Sequence, residues 1–260
     1  MKAELAVATE LAQQAGGLIA ANLGRVGHVG HKSPVNLVTE VDTAAERLIV
    51  DGLTKAFPDA AIVAEETAAD SRPAGPCWYV DPIDGTTNFV HGLPHCAVSI
   101  ALVVDREPAV GVVHDPCKRE TFTATRNGPA RLNGEPIRVS EAASLADSLL
   151  VTGFPYDRCQ RLDFYVSFFR EFLARCRDVR RFGSAALDLC YVAAGRFDGF
   201  WEFGLRPWDT AAGWLVVERA GGRVTDFAGC GFDPWKPQVL ATNGRVHEEA
   251  LAVLAQAASA

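Results

Sequence analysis

Two carboxylates stand three residues apart where an apolar run breaks off, in Trp78-Tyr79-Val80-Asp81-Pro82-Ile83-Asp84-Gly85-Thr86-Thr87. Pro82 and Gly85 turn the backbone there, so Asp81 and Asp84 can face one point, and the Ile83 carbonyl adds a neutral oxygen. Hard oxygen donors of this kind suit Mg²⁺. Gly85-Thr86-Thr87 then reads as the start of a helical turn, whose free N–H groups favour an anion such as phosphate beside the cation. Asp-Pro and Asp-Gly are also ordinary turn formers, so this stretch taken alone leaves plain turn chemistry open.

Further acids sit at the ends of apolar segments. Glu65-Glu66 follow Ala61 to Ala64, and Asp209 follows Trp208 at the start of a helical pattern. Singly, the glutamates read as solvated charge and Asp209 as a helix N-cap. Collectively they read differently, because carboxylates that converge without basic partners repel one another unless cations neutralise them. His91 and His95 are four residues apart, but Gly92 and Pro94 lie between them, so a helical metal pair is not expected.

These residues need a frame. Apolar positions Leu5, Ala8, Ala12, Ala15, Ile19 and Leu23 recur with helical period, and Glu4 and Glu10 interrupt any leader-like run. A loop is expected from Gly24 to Pro34. Thr39-Glu40-Val41-Asp42 then has capping-box spacing and opens a second helix that buries Val41, Ala45, Leu48, Ile49 and Leu53. Short strands are expected at Ala61 to Ala64 and Trp78 to Val80, and an antiparallel meander from Cys96 to Val139 with an Asn133-Gly134 turn.

The second half alternates. Strands are expected at Leu149 to Thr152, Val179 to Phe182, Gly199 to Glu202, Arg223 to Asp226 and Val239 to Ala241. Helices are expected at Leu162 to Arg175, Ser184 to Ala194, Asp209 to Ala220 and from about Val246. With no repeat or linker, the 260 residues read as one α+β layered unit over 1–260.

Composition excludes several classes. At 48% hydrophobic and 22% charged, the chain is not intrinsically disordered. A net charge of -7, with no basic cluster beyond Arg177, Arg180 and Arg181, argues against direct nucleic-acid binding. The most apolar run, Ala97 to Val104, is too short to span a bilayer. Seven cysteines, none closer than 14 residues to the next, form no C-x-x-C pair, and the odd count points to a reducing cytoplasm rather than a disulfide framework.

Asp81-Pro82-Ile83-Asp84-Gly85-Thr86-Thr87-Asn88-Phe89-Val90-His91-Gly92 and Trp208-Asp209-Thr210-Ala211-Ala212-Gly213 together resemble the two signature segments of the inositol monophosphatase family. Lys32-Ser33-Pro34, Leu37-Val38-Thr39 and Gly183-Ser184-Ala185-Ala186 extend the resemblance across the chain. It implies a layered αβαβα sugar-phosphatase fold and Mg²⁺-dependent, lithium-sensitive hydrolysis of phosphate monoesters. It implies metal ligation by Glu65, Asp81, the Ile83 carbonyl, Asp84 and Asp209, with Glu66 competing for the place of Glu65.

By the same resemblance, Gly85 and Thr86 cradle the phosphate, and Asp42, Glu65 and Thr86 activate the attacking water. Asp84, Asp209, Glu202 and the Gly183-Ser184-Ala185 turn contact the substrate. Lys32 reads equally as a loop lysine near the site or as a solvated one. Asn36 stands where many relatives have Asp, and Ser184 where some have Thr, which touches only loop charge and sugar contact.

The expected substrate is a phosphorylated polyol, inositol-1-phosphate, and the expected assembly is a homodimer. Fructose-1,6-bisphosphate, histidinol phosphate and 3'-phosphoadenosine nucleotides are the alternatives within the superfamily. Some bacterial relatives associate with the transcription machinery, which makes a binding role the alternative of another class.

Overall fold

The structure is a computed structural model that describes residues 1–25, 27, 29–33, 36–67 and 72–258, with backbone only at 31–33 and 36. Helix α1 (Lys2–Asn22) lays Ala8, Leu11, Ala12, Ala15 and Ile19 into the core, as its period requires. A hairpin of β1 (Val29–Ser33) and β2 (Asn36–Thr39) follows, so part of the expected loop is strand. Its Gly- and His-rich composition hides the alternation that usually marks a hairpin. The side chain of Lys32, and with it Pro34, lies outside the described residues.

Helix α2 (Glu40–Ala56) opens on the expected capping box, Thr39 with Asp42. Strands β3 (Ala61–Ala64), β4 (Cys77–Asp84), β5 (Ala97–Val104), β6 (Glu107–Asp115), β7 (Glu120–Thr125), β8 (Arg131–Leu132) and β9 (Glu135–Pro136) form a seven-stranded sheet in chain order. The short helix α3 (Thr86–Val90) leaves the end of β4 and stops before His91, as Gly92 and Pro94 predict.

The second sheet runs β11-β10-β12-β14-β13, from β10 (Leu149–Thr152), β11 (Asp178–Arg180), β12 (Gly199–Phe203), β13 (Arg223–Thr225) and β14 (Gln238–Thr242). Its helices are α4 (Leu162–Leu173), α5 (Ala185–Ala193), α6 (Pro207–Arg219) and α7 (His247–Ala258).

Alternation along the strands builds the layers, because successive side chains point to opposite faces. Trp78, Val80, Ile100 and Val112 face α1 and α2, whereas Tyr79, Ala101 and Val113 face α5 and α6. Val151, Phe200 and Ala241 meet α5 and α6 from the second sheet, and Leu150, Trp201 and Leu240 turn outward to α4 and α7. The order is αβαβα. Helices α5 and α6 are covered on both sides; α5 is the most apolar helix, and every one of its residues is buried.

Strands β10, β11 and β12 run parallel, as do β3 and β4. Ligands of open α/β sheets collect beyond the carboxyl ends of parallel strands. Here both sets of ends carry expected site residues: Glu65, Asp81 and Asp84 on the first sheet, and Gly183 and Glu202 on the second.

Candidate active site

All eight residues of β4 are buried, including both acids. The strand continues through Asp84, beyond the expected end at Val80. Asp81 pairs with Ser99 and Asp84 with Ala97, and the register shifts between them. Pro82 has no N–H for the ladder, so the strand bulges there and re-aims the two carboxylates. The Asp81 Oδ1 accepts the Ile83 N–H at 2.9 Å, which fixes the turn from within. Ser99, opposite Asp81, donates its hydroxyl to the Trp208 carbonyl at 2.9 Å and so anchors the chain just before Asp209.

Asp209 is not an N-cap. It is the third residue of α6, and its Oδ2 accepts the Arg206 N–H at 2.7 Å as the far half of a capping box. Placed there, within the first turn of the helix, the carboxylate faces the other acids. Burial pushes Asp209 well above the ordinary carboxylate range, and Glu65 and Asp84 push it further. Asp81 is displaced the same way, by burial first and then by Glu65, Asp84 and Asp209. Glu65 is the acid that acts on Asp42, Asp81, Asp84 and Asp209. Beside it, the Glu66 N–H donates to Glu46 Oε2 at 2.7 Å, tying this turn to α2.

The capping box of α2 has a second use. Asp42 Oδ2 accepts both the Thr39 N–H at 2.8 Å and the Thr39 hydroxyl at 2.5 Å, and its Oδ1 receives the Thr86 hydroxyl at 3.1 Å. Thr86 Oγ1 lies equally near the Ile83 carbonyl, 3.0 Å away, so its one proton is shared between two acceptors. Burial raises the Asp42 pKa above its ordinary value, and the Thr39 and Thr86 hydrogen bonds oppose that rise.

Two glycine turns join the sheets. Gly85 (φ 95°) and Gly183 (φ 87°) both occupy the left-handed region. A Cβ on Gly85 would lie 3.1 Å from the Gly183 carbonyl oxygen, so the turns rest against each other. Asn88 Nδ2 fastens them, donating to the carbonyls of His95 and Phe182 at 2.8 Å each. Asp84 Oδ2 adds two bonds to the start of α5, accepting the Ser184 hydroxyl at 2.6 Å and the Ala186 N–H at 2.7 Å. Ser184 and Ala185 are buried, and the hydroxyl of Ser184 serves Asp84. Burial still lifts Asp84 to about 6.

Glu202, buried on β12, is lifted to about 8 by burial, with Arg181 pulling back. A side chain on Gly153 would collide with its carboxylate. Among the described residues no three His, Cys, Asp or Glu side chains stand preassembled around a point. The fit to a cation therefore rests on the donor set. It is all oxygen, and the neighbouring charges that act most strongly on Asp81 are acids.

The whole chain, residues 1–260, matches the profile described as "Inositol monophosphatase family". This chain belongs to the inositol monophosphatase family. It is similar to "Nus factor SuhB" of Pseudomonas aeruginosa, 47% identical over 236 residues that cover 88% of this chain and 87% of that protein. It is also similar to "Inositol-1-monophosphatase" of Synechocystis sp., 45% identical with 96% and 88% covered. Its fold matches that of a Thermotoga maritima IMPase with a TM-score of 0.91 at 41% identity, covering 98% of both chains.

For this member of the inositol monophosphatase family, three residues near the site carry no assignment from the sequence. Asp188, one turn below Ser184 on α5, is buried with no hydrogen-bond partner for either carboxylate oxygen. Burial, Glu202 and Asp84 raise it well above the ordinary range. A lone acid in the apolar stretch Ala-Ala-Leu-Asp-Leu-Cys-Tyr-Val-Ala was the available signal. Tyr156, in the loop after β10, leaves 54% of its surface exposed, yet its hydroxyl pKa is raised by desolvation on the side facing the site and then by Glu65, Asp209, Asp81 and Asp84. Arg181, read only as part of a short basic cluster, acts on both Glu202 and Asp188. Among the described residues no helix is long and apolar enough to cross a membrane.

Proposed function

We propose that the protein is a Mg²⁺-dependent phosphate monoester hydrolase acting on inositol-1-phosphate. The observation that carries this reading is the placement of Glu65, Asp81, Asp84 and Asp209 beside the Asp42–Thr86 hydrogen bond. Glu65, Asp81, the Ile83 carbonyl, Asp84 and Asp209 would hold the cation, which when bound supplies Lewis acidity toward phosphate and water. The Thr86 hydroxyl orients the attacking water, and its proton passes toward Asp42, whose raised pKa suits it to accept one. The Gly85 turn presents backbone N–H groups to the phosphate oxygens. Because water is the nucleophile, no covalent phosphoenzyme is required.

Glu202 and the Gly183-Ser184-Ala185 turn form the polyol side. A carboxyl group there exchanges hydrogen bonds with ring hydroxyls, and its ionised form disfavours a second phosphate. That difference supports inositol-1-phosphate over bisphosphorylated substrates. Phosphate release from inositol-1-phosphate, fructose-1,6-bisphosphate, histidinol phosphate and 3'-phosphoadenosine 5'-phosphate, each with Mg²⁺ and with EDTA, tests the reading. The expected result is rapid, EDTA-abolished release from inositol-1-phosphate. A preference for another substrate keeps the chemistry and overturns the substrate. The reading also takes 1–260 as one unit and expects a cytoplasmic homodimer, which sedimentation would check.

The name "Nus factor SuhB", carried by several relatives, favours a second reading in which the chain also binds transcription proteins. An Asp84→Asn protein that still captures RNA polymerase or antitermination factors would support it. Failure to capture either would remove it.

A further inference from the structure

Glu65 stands in a turn that a buried carboxylate on α2 supports. Ala64 to Thr67 form the turn, closed by the Thr67 N–H on the Ala64 carbonyl at 3.2 Å. The Glu65 N–H continues the parallel pairing of β3 with β4, donating to the Val80 carbonyl at 3.0 Å, one residue before Asp81. The next amide, that of Glu66, falls beyond the ladder and donates to Glu46 Oε2 at 2.7 Å. Glu46 belongs to the buried face of α2 and is only 3% exposed. A glutamate so deep is seldom kept without a task for its carboxylate.

Each residue has two soft backbone dihedrals, so a Cα–Cβ bond is aimed once the peptide planes on both sides of its Cα are fixed. Val80 fixes the plane before Glu65, and Glu46 fixes the plane between Glu65 and Glu66. The same helix holds the water side of the site, because Asp42, one turn before Glu46, receives the Thr86 hydroxyl at 3.1 Å. Positions i and i+4 share one helix face and stand about 6 Å apart along the axis. Helix α2 thus gauges the spacing between Thr86 and the Glu65 turn.

We infer that Glu46 is a positioning residue that aims Glu65 at the cation by holding the Glu66 amide. The inference rests on the proposed reading of Glu65 as a metal ligand. Its basis is reach rather than charge: the acceptor must extend from α2 to the Glu66 N–H, and a neutral oxygen of equal reach accepts the same bond. Groups that orient a metal ligand without touching the metal change its affinity by about tenfold to a hundredfold when removed.

Glu46→Gln keeps the reach and loses the charge, Glu46→Asp keeps the charge and loses the reach, and Glu46→Met keeps the length without an acceptor. Calorimetric titration with Mg²⁺, on protein shown to be folded by urea unfolding, should give a Kd within about twofold of native for Glu46→Gln and about tenfold weaker for the other two. In the metal-free proteins, amide exchange in peptides spanning Ala64 to Thr67 should quicken about tenfold in Glu46→Asp and Glu46→Met and stay native in Glu46→Gln. Either loss variant suffices if the other fails to fold. Glu46→Gln weakening Mg²⁺ binding as much as Glu46→Asp would make charge the cause and overturn the inference. So would a native Kd or native exchange in the loss variants. Failure of the underlying reading shows differently: the native protein itself then takes up no Mg²⁺, whereas failure of the inference leaves native binding intact.

Discussion

On the wall of the site built by β4 and α6, Asp81 and Asp209 are displaced by burial and then by acidic neighbours, Glu65 the first of them in both cases. On the wall built by α5 and β12, burial is again the first cause for Glu202 and Asp188 and acidic neighbours add to it, but there Arg181 pulls both back. The first wall therefore stays ionised only with outside positive charge. The second can hold its protons and meet a neutral, hydroxyl-bearing group. One acidic cleft thus contains two chemistries, told apart by what lies next to each carboxyl rather than by how many carboxyls there are.

Removing a charge from the first wall is expected to have the largest effect. Asp84→Asn should lower phosphate release about a thousandfold, or about 4 kcal/mol of lost transition-state stabilisation. Its circular dichroism should stay unchanged, because the amide oxygen can still accept from Ser184. Near-normal turnover would break the comparison at its strong side.

The second wall predicts a pH effect on stability in EDTA-treated protein. Glu202 has an ordinary pKa of 4.5 that rises to about 8 on folding, so the folded state holds the proton more tightly than the unfolded one. Its stabilising contribution is complete below 4.5 and is lost as pH rises through about 8. The slope for one such group is about 1.4 kcal/mol per pH unit, a few kcal/mol over the window. Urea unfolding at several pH values should show a shallower fall for Glu202→Gln. Equal slopes would mean that Glu202 is already ionised in the folded protein.

Between the walls, Asp42→Asn keeps the Thr86 contact but loses a proton acceptor. A loss of about a hundredfold in kcat, with little change in KM, is expected for a group serving the water alone. At the second wall, Glu202→Gln should raise KM for inositol-1-phosphate about tenfold, the value of one or two lost hydrogen bonds, and leave p-nitrophenyl phosphate nearly unaffected.

How much of this was legible in the sequence differs between the walls in the same way. Asp81, Asp84 and Asp209 were legible because Pro, Gly and Trp mark abrupt ends of apolar segments, and a turn there must present its acids. The Thr39–Asp42 spacing was legible as a cap, but the use of Asp42 by Thr86 required the fold to bring together positions 44 residues apart. Sequence alone makes Asp209 resemble a cap because capping depends on where a helix starts, and Pro207 moves that start two residues earlier. Asp188 was hidden in an apolar helix, where one acid among apolar residues gives no spacing signal. The hairpin at β1 and β2 was missed because its residues favour turns; pairing overrode that preference.

Tyr156 joins the walls, and it offers the smallest and sharpest test of their difference. Its hydroxyl feels the four acids of the first wall, yet it stands on the loop that continues from β10, beside the Gly153 that packs on Glu202. A phenol near several carboxylates is held protonated, so it serves as a donor at any pH where the site works. If it donates to substrate, Tyr156→Phe removes one hydrogen bond without removing bulk. The cost should be about threefold to tenfold in kcat/KM, in the range of about 0.5–1.5 kcal/mol for a single bond. The split between parameters then assigns it to a wall. A rise in KM for inositol-1-phosphate alone places the hydroxyl with Glu202. An equal fall in kcat for inositol-1-phosphate and p-nitrophenyl phosphate places it with the carboxylates around Asp81, because the proposed reading sets the phosphate common to both substrates against that wall alone.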